Sequence, residues 1–147
     1  MATVEINNAN QFNWPIRVYY EDTDSGGVVY HSNYLNFMER ARTEWLRHLG
    51  FEQTYLKDAC NMIFVVHSLH IVFKKPAKLN DLLTITSEFA KIGRGSVEFL
   101  QTIHLDKQVL AQAQVKVACV GALTFKPTGL PRQVSLKMQL IVKKEQA

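Results

Sequence analysis

One wide amphipathic helix, set ahead of a long series of strand-like runs, limits the folds open to this chain more than any other feature. Tyr34, Met38, Ala41, Trp45 and Leu49 recur every three or four residues, and Leu35 and Leu46 widen the stripe. Glu39, Arg40, Arg42, Glu44 and Arg47 fill the other positions and are expected on the exposed side. Ser32 or Asn33 can serve as N-cap, and Gly50 is placed to end the helix in a left-handed cap. A stripe of this width suits a helix half enclosed by a sheet.

The flanking segments supply that sheet. Trp14, Ile16, Val18 and Tyr20 alternate with Pro15, Arg17, Tyr19 and Glu21, as in a strand with one buried face. The alternation ends in Asp22-Thr23-Asp24-Ser25-Gly26-Gly27, a cluster of turn formers. Beyond the helix, Phe51 to Lys57 can add a short further turn. Met62 to Phe73 is rich in β-branched and aromatic residues and breaks at Lys74-Lys75-Pro76. Leu82 to Lys91 is followed by Gly93-Arg94-Gly95, a hairpin turn. Alternating runs from Val97 to Leu105 and from Val109 to about Phe125 come next, with Gly121 a candidate bulge, and Val134 to Lys144 reads as a C-terminal helix. The order is β-α-β-β-β-β-α over a single domain of 147 residues, with no repeat or linker. Turn-linked strands near the end imply an antiparallel meander, hence an α+β fold. One helix leaves a sheet face or edge uncovered, and a homo-oligomer is a reasonable way to cover it.

Composition narrows the function classes only a little. Hydrophobic residues make up 47% and charged residues 20%, which fits a globular chain and not a disordered one. The net charge of +4 favours anionic ligands such as CoA phosphates, acidic carrier proteins or nucleic acid without choosing among them. The basic residues are dispersed and the strands lack a run of stacking aromatics, which counts against single-stranded RNA. Cys60 and Cys119 sit in apolar runs and match neither a CxxC pair nor a zinc spacing. His67 and His70, three apart within a strand pattern, are expected on opposite faces, so a shared metal is not expected. Met1 to Asn13 is polar, without the features of a signal peptide, and no apolar stretch is long enough to span a bilayer. A cytoplasmic location is the expectation.

The junction of first strand and helix is where chemistry is expected. It places the Asp24 carboxylate a few residues before a helix N-terminus, with Gly26 and Gly27 allowing close approach to the backbone. Unpaired amides at a helix start suit a developing oxyanion. Thioester hydrolysis needs this combination, a group that polarises the carbonyl and a carboxylate that attacks it or activates water. The same residues are also ordinary turn and capping residues. A calcium loop fits less well, because the fifth and twelfth positions counted from Asp22 are Gly26 and Asn33 instead of ligands.

The run Arg17-Val18-Tyr19-Tyr20-Glu21-Asp22-Thr23-Asp24-Ser25-Gly26-Gly27-Val28-Val29-Tyr30-His31-Ser32-Asn33-Tyr34 resembles the signature of hotdog-fold thioesterases of the 4-hydroxybenzoyl-CoA thioesterase type. Glu39-Arg40-Ala41-Arg42-Thr43-Glu44 brings it nearest the YbgC branch, associated with the bacterial Tol-Pal system. The resemblance implies a five-stranded antiparallel sheet wrapped around one long helix, and a homodimer or homotetramer with the active site at the dimer interface. It implies hydrolysis of short or small acyl-CoA thioesters by water, without cofactor or metal. By that resemblance Asp24 is the catalytic nucleophile or general base, and the backbone amide of His31 polarises the carbonyl. Tyr20 and His31 match the tyrosine and histidine that this branch places beside the aspartate. Gly27 is a candidate substrate contact through its backbone, Arg94-Gly95-Ser96 resembles the family's hairpin contact with CoA, and Lys74, Lys75, Lys78, Arg94 and Lys126 are candidates for the CoA phosphates.

Read from the residues alone, Tyr20 could equally be core with its hydroxyl bonded, His31 a turn cap, and Glu21 and Asp22 solvent or loop carboxylates. Two other functions share the resemblance. One is hydratase or dehydratase chemistry on acyl thioesters, pairing His31 with Glu39 or Glu44. The other is a module that engages acyl carrier protein or nucleic acid through its basic face.

Overall fold

The N-terminal alternation becomes strand β1 (Phe12–Arg17) in the computed structural model, which describes residues 10–146. The chain then passes through a 3-10 turn (Tyr20–Asp22), α1 (His31–His48) and α2 (Gln53–Cys60). Four strands follow, β2 (Met62–Phe73), β3 (Leu82–Ile92), β4 (Ser96–Leu105) and β5 (Gln108–Gly121), and α3 (Arg132–Gln146) closes the chain. The strands form one sheet in the order β1-β3-β4-β5-β2, with every pairing antiparallel. This is the five-stranded sheet around one long helix of the hotdog fold. Most of the polar Met1 to Asn13 stretch that bears on a leader lies outside the described residues.

The period of two on the strands puts Leu83, Ile85 and Phe89 of β3, Val97, Phe99 and Ile103 of β4, and Ala111 to Cys119 of β5 against α1. From the helix, Tyr34, Phe37, Met38, Ala41, Trp45 and Leu46 meet them. Trp45 lies almost parallel to Phe89, with centroids 4.0 Å apart, and to Phe12, with centroids 5.9 Å apart. Truncating a buried aromatic of this kind costs about 3–5 kcal/mol. At the far end of α1, the Gly50 amide bonds the Arg47 carbonyl and the Phe51 amide bonds the Leu46 carbonyl. That pair of bonds is a Schellman motif, and both Leu46 and Phe51 are buried in the hydrophobic core.

Several details differ from the sequence expectation. The first strand ends at Arg17, because Val18 bonds the Asp81 carbonyl and the chain then leaves the sheet. Tyr20 therefore sits in the 3-10 turn, 81% exposed, and is not a core residue. Helix α1 begins at His31, one residue before Ser32, so the N-cap position falls on Tyr30. Asn33 lies within the first turn, where its amide side chain serves Asp22. The turn expected after Gly50 grows into two turns of helix ending at Cys60.

Arg42 is the largest departure. It is 9% exposed, not on the solvent side, and its Nη1 donates to Gln101 Oε1 at 2.9 Å. Gln101 Nε2 in turn donates to the Met38 carbonyl and Ser87 Oγ, so the one polar residue facing inward on β4 is satisfied on all sides. Strand β5 stops at Gly121, where the amide turns to the Lys126 carbonyl, and the bulges lie elsewhere. One of them falls between Val66 and Ser68, at His67, and it resets the alternation that the His67 and His70 spacing relied on.

The two sheet edges are unequal. Strand β1 is six residues long, whereas β2 runs for twelve and exposes Val66, Leu69, Val72 and Phe73. Its outer rim of backbone groups is open to another strand. Among the described residues, no helix is long and apolar enough to cross a membrane.

Candidate active site

The turn-former cluster folds into a small hairpin that hands the chain to α1. Thr23 and Val29 bridge across it, the Asp24 amide bonds the Val28 carbonyl, and the Gly27 amide bonds the Asp24 carbonyl. Gly27 closes the loop at φ +80°, the left-handed position of a three-residue hairpin loop, which an L side chain would strain. Asp24 Oδ1 accepts the Gly26 amide at 2.8 Å in an Asx turn. The local bonds fix the Asp24 side chain while leaving the residue exposed.

Asp22, two residues earlier, has the opposite character. It is 4% exposed; its Oδ2 accepts the Tyr19 amide and its Oδ1 accepts Asn33 Nδ2, each at 2.9 Å. Its carbonyl also takes the Tyr30 amide. Asp22 is thus no solvent carboxylate. It ties the base of the hairpin to the first turn of α1 and sets where Asp24 stands relative to the helix end. The sequence offers no local signal that separates the two aspartates, because burial depends on the partner at Asn33.

The helix start is open. Tyr30, the N-cap, makes no side-chain cap bond, and the Asn33 amide is spent on the Tyr30 carbonyl. The amides of His31 and Ser32 are the ones an α-helix leaves for an outside acceptor, at the positive end of its dipole. The exposed His31 ring leans on the Tyr30 ring at 4.4 Å.

Next to this helix end lies a cleft of about 290 Å3 lined by Val29, His31, Tyr34, Phe73, Lys74, Lys75 and Pro76. Its shape follows from backbone bonds. The Val29 amide reaches the Ala77 carbonyl, and Tyr34 Oη accepts the Ala77 amide at 2.9 Å. The bulge at Leu110 turns its carbonyl to the amides of both Lys74 and Lys75. Burial pushes the Tyr34 phenol above its ordinary pKa. The Ala77 amide pulls it back, and the charges of Asp24 and Asp81 add to the rise. Asp24 therefore projects its charge onto the residue that floors this cleft.

The residues singled out from the sequence do not all meet. His31 and Lys75 line one cleft, Tyr34 and Phe73 join them without having been foreseen as site residues, and Gly27 shapes the hairpin beside it. Tyr20 lies in a separate shallow hollow with Arg17, Tyr19, Glu21, Leu79 and Asn80. Arg94, Gly95 and Ser96 stand at the other end of the sheet. From Ala111, beside the Lys74 turn, to Val117, beside that hairpin, β5 runs six residues, about 20 Å. There Gly95 also has a packing task, since a Cβ on it would lie 2.6 Å from the Thr128 carbonyl oxygen. Within this chain, the Arg94 hairpin and the His31 cleft are separate places. Among the described residues, no group of three or more His, Cys, Asp or Glu side chains could hold a metal.

Comparison with known proteins supplies the family. Residues 26–112 match the thioesterase superfamily model. The chain is 46% identical over 125 residues to the acyl-CoA thioesterase YbgC of Haemophilus influenzae, covering 85% of this chain and 92% of that protein. It is 45% identical over 128 residues to the acyl-CoA thioester hydrolase YbgC of Escherichia coli O157:H7, covering 86% and 95%. A probable thioesterase from Bartonella henselae, known by crystal structure, superposes with a TM-score of 0.78 at 37% identity over 81% of this chain and 98% of that one. The protein is accordingly a member of the thioesterase superfamily, in the company of the YbgC enzymes.

Proposed function

We propose that this chain hydrolyses short or small acyl-CoA thioesters at the junction of the Asp24 hairpin and α1. The observation that carries the reading is an exposed carboxylate held by its own Asx turn just ahead of an uncapped helix N-terminus. The similar proteins of Haemophilus and Escherichia are named an acyl-CoA thioesterase and an acyl-CoA thioester hydrolase. In the proposed reaction the thioester carbonyl oxygen points at the His31 amide. The carbonyl carbon is then attacked by Asp24, or by water that Asp24 deprotonates. Collapse of the intermediate expels the CoA thiolate, which takes up a proton, and the acid leaves. If Asp24 attacks directly, expulsion of the CoA thiolate leaves a mixed anhydride on Asp24, and the single water consumed then opens it, releasing the acid and regenerating the carboxylate. A donor of the His31 type is worth about 3 kcal/mol to such a step. The His31 ring and Tyr20 are supporting assignments for proton transfer and positioning.

CoA phosphates would be met by Lys74 and Lys75 at the mouth of the cleft. The Arg94-Gly95-Ser96 hairpin reaches the same cleft only from a second copy. Antiparallel pairing of two β2 edges sets the Phe73 end of one protomer beside the Met62 end of the other. That arrangement makes each site a joint property of two chains.

A thiol-release assay over a panel of acyl-CoAs tests the reading. Free CoA and free acid in equal amounts are expected, with lower KM for CoA esters than for the matching acyl-pantetheine, and Lys75→Ala narrowing that gap. A change in enoyl absorbance with no thiol released would instead mark hydration chemistry on the same fold.

A further inference from the structure

The C-terminal part of the chain has a charge pattern that the proposed hydrolysis leaves unused. Between Asp106 and Glu145 there are seven Lys and Arg residues and no Asp or Glu, although the whole chain carries a net charge of only +4. A balance this one-sided suits contact with an anionic surface.

Helix α3 shows where that charge meets apolar side chains. Its inner face is complete, because Val134 and Met138 are fully buried and Ile141 and Val142 pack against the core. The opposite ridge carries Arg132, Leu136, Leu140 and Lys143, three or four residues apart and all exposed. Leu136 and Leu140 are 49% and 59% exposed, so the fold takes little from them. Lys137 stands beside this ridge, its Nζ held by the Leu49 carbonyl at 3.0 Å.

The loop after β5 repeats the pattern. Leu123 and Phe125 are 84% and 65% exposed there, with Lys126 next in the chain. Phe125 is held at φ +56°, in the left-handed region that a bulky side chain avoids. The bond from its amide to the Gly121 carbonyl, and that from the Gly121 amide to the Lys126 carbonyl, keep it there. Glycine or asparagine would serve such a turn with less strain, so an exposed aromatic at this position points to a task outside the fold. Loop and helix are neighbours. The Ala122 amide bonds the Asn61 carbonyl and Gln133 Nε2 lies 4.0 Å from Cys60 Sγ, which fixes both to the last residues of α2. Of the carboxylates in and beside α2, Asp58 adjoins Lys57 and Glu52 pairs with Arg47.

We propose that the 122–126 turn and the outer ridge of α3 dock the protein on an anionic phospholipid bilayer. Leu123, Phe125, Leu136 and Leu140 enter the boundary between headgroups and acyl chains, while Lys126, Arg132, Lys137 and Lys143 meet the lipid phosphates. The cations draw the protein to any anionic surface, and the four apolar side chains select lipid. Carried on a turn and a helix ridge, they enter a fluid layer without a shape-matched cavity, which an acidic protein would have to supply. The attachment is peripheral and reversible, and the proposed hydrolysis does not depend on it.

Co-flotation of the full chain with vesicles tests it. The parent should rise with phosphatidylcholine vesicles that contain about 30% phosphatidylglycerol and stay behind with phosphatidylcholine alone. Raising salt from about 0.1 to about 1 M shortens the screening length from about 10 to about 3 Å and should release it. A chain carrying Leu136→Gln and Leu140→Gln should lose at least about tenfold in vesicle partitioning. Its circular dichroism spectrum and its thiol release on soluble acyl-CoA should match the parent. Phe125→Asn should partition more weakly yet unfold at a higher urea concentration, because asparagine accepts the left-handed backbone that phenylalanine resists. A ring that served only the fold would move both readings the other way or leave them unmoved. A parent chain that ignores anionic vesicles overturns the proposal. Partitioning that stays within about twofold of the parent in the leucine and Phe125 variants also overturns it, since the contact is then charge alone. Binding of an acidic carrier protein without vesicle binding would assign the surface to a protein partner. So would an oligomer that dissociates in the leucine variant while vesicles are ignored, and either result sinks the lipid reading.

Discussion

Asp22→Ala removes the tie between the hairpin and the helix, and its cost can be worked from the bonds. The carboxylate accepts one backbone amide, from Tyr19, and one side-chain amide, from Asn33, both at 2.9 Å in a buried setting. Hydrogen bonds to a charged group contribute about 1.5–3 kcal/mol each. Asn33 is only half-buried and can turn toward water, so its share is recovered in part. The Tyr19 amide is less free to do so. A net loss of about 3 kcal/mol follows, equivalent to a fall of about 6–12 °C in Tm for a chain of this size. Asp22→Asn keeps one acceptor for Tyr19 and lets Asn33 offer its oxygen, so about 1 kcal/mol is expected. Urea denaturation of both variants beside the parent reads these values. Thiol release on the folded fraction of Asp22→Ala should also fall, because the hairpin then holds Asp24 less firmly against the helix end. A stability for Asp22→Ala within about 0.5 kcal/mol of the parent, the range of ordinary surface changes, would refute the assignment.

Two further outcomes follow from local geometry. Burial pushes the Cys119 thiol up to about 11, so its contribution to stability is whole below the unfolded value near 9.0 and is lost as pH rises from there through 11. Denaturation midpoints at pH 8, 9, 10 and 11 should fall more steeply for the parent than for Cys119→Ala, and a thiol reagent at pH 8 should modify half-buried Cys60 before Cys119. Gly95→Ala drives a methyl group against the Thr128 carbonyl and should destabilise by about 1–3 kcal/mol in the same urea assay. A Gly95→Ala chain of parental stability but raised KM would show that the glycine serves CoA alone.

Much of the frame was legible because it rests on periods. The stripe from Tyr34 to Leu49 and the alternation on β3, β4 and β5 place apolar side chains on one face each, and the structure buries those faces together. What the periods could not carry was the fate of single polar residues. Arg42 falls on the edge of the helical stripe, and whether it turns to solvent or inward depends on Gln101, fifty-nine residues away and itself unremarkable in an alternating run. Asp22 and Asp24 share one turn-former cluster, yet Asn33 reaches back to one of them only. Tyr20 looked like the last tooth of an alternating strand until the chain left the sheet after Val18 to bond the 80–81 turn. The distance between Arg94 and the His31 cleft is likewise invisible in the sequence, since motif matches carry no register to separate the two ends of β5.

The most direct test of the account is turnover by Asp24→Asn. Asparagine can keep the Asx turn with the Gly26 amide, so its stability should stay within about 0.5 kcal/mol of the parent. What it loses is the charge that attacks the carbonyl or activates water, and kcat for thiol release should fall by at least about a hundredfold. A folded Asp24→Asn chain that hydrolyses acyl-CoA at the parental rate would contradict the account.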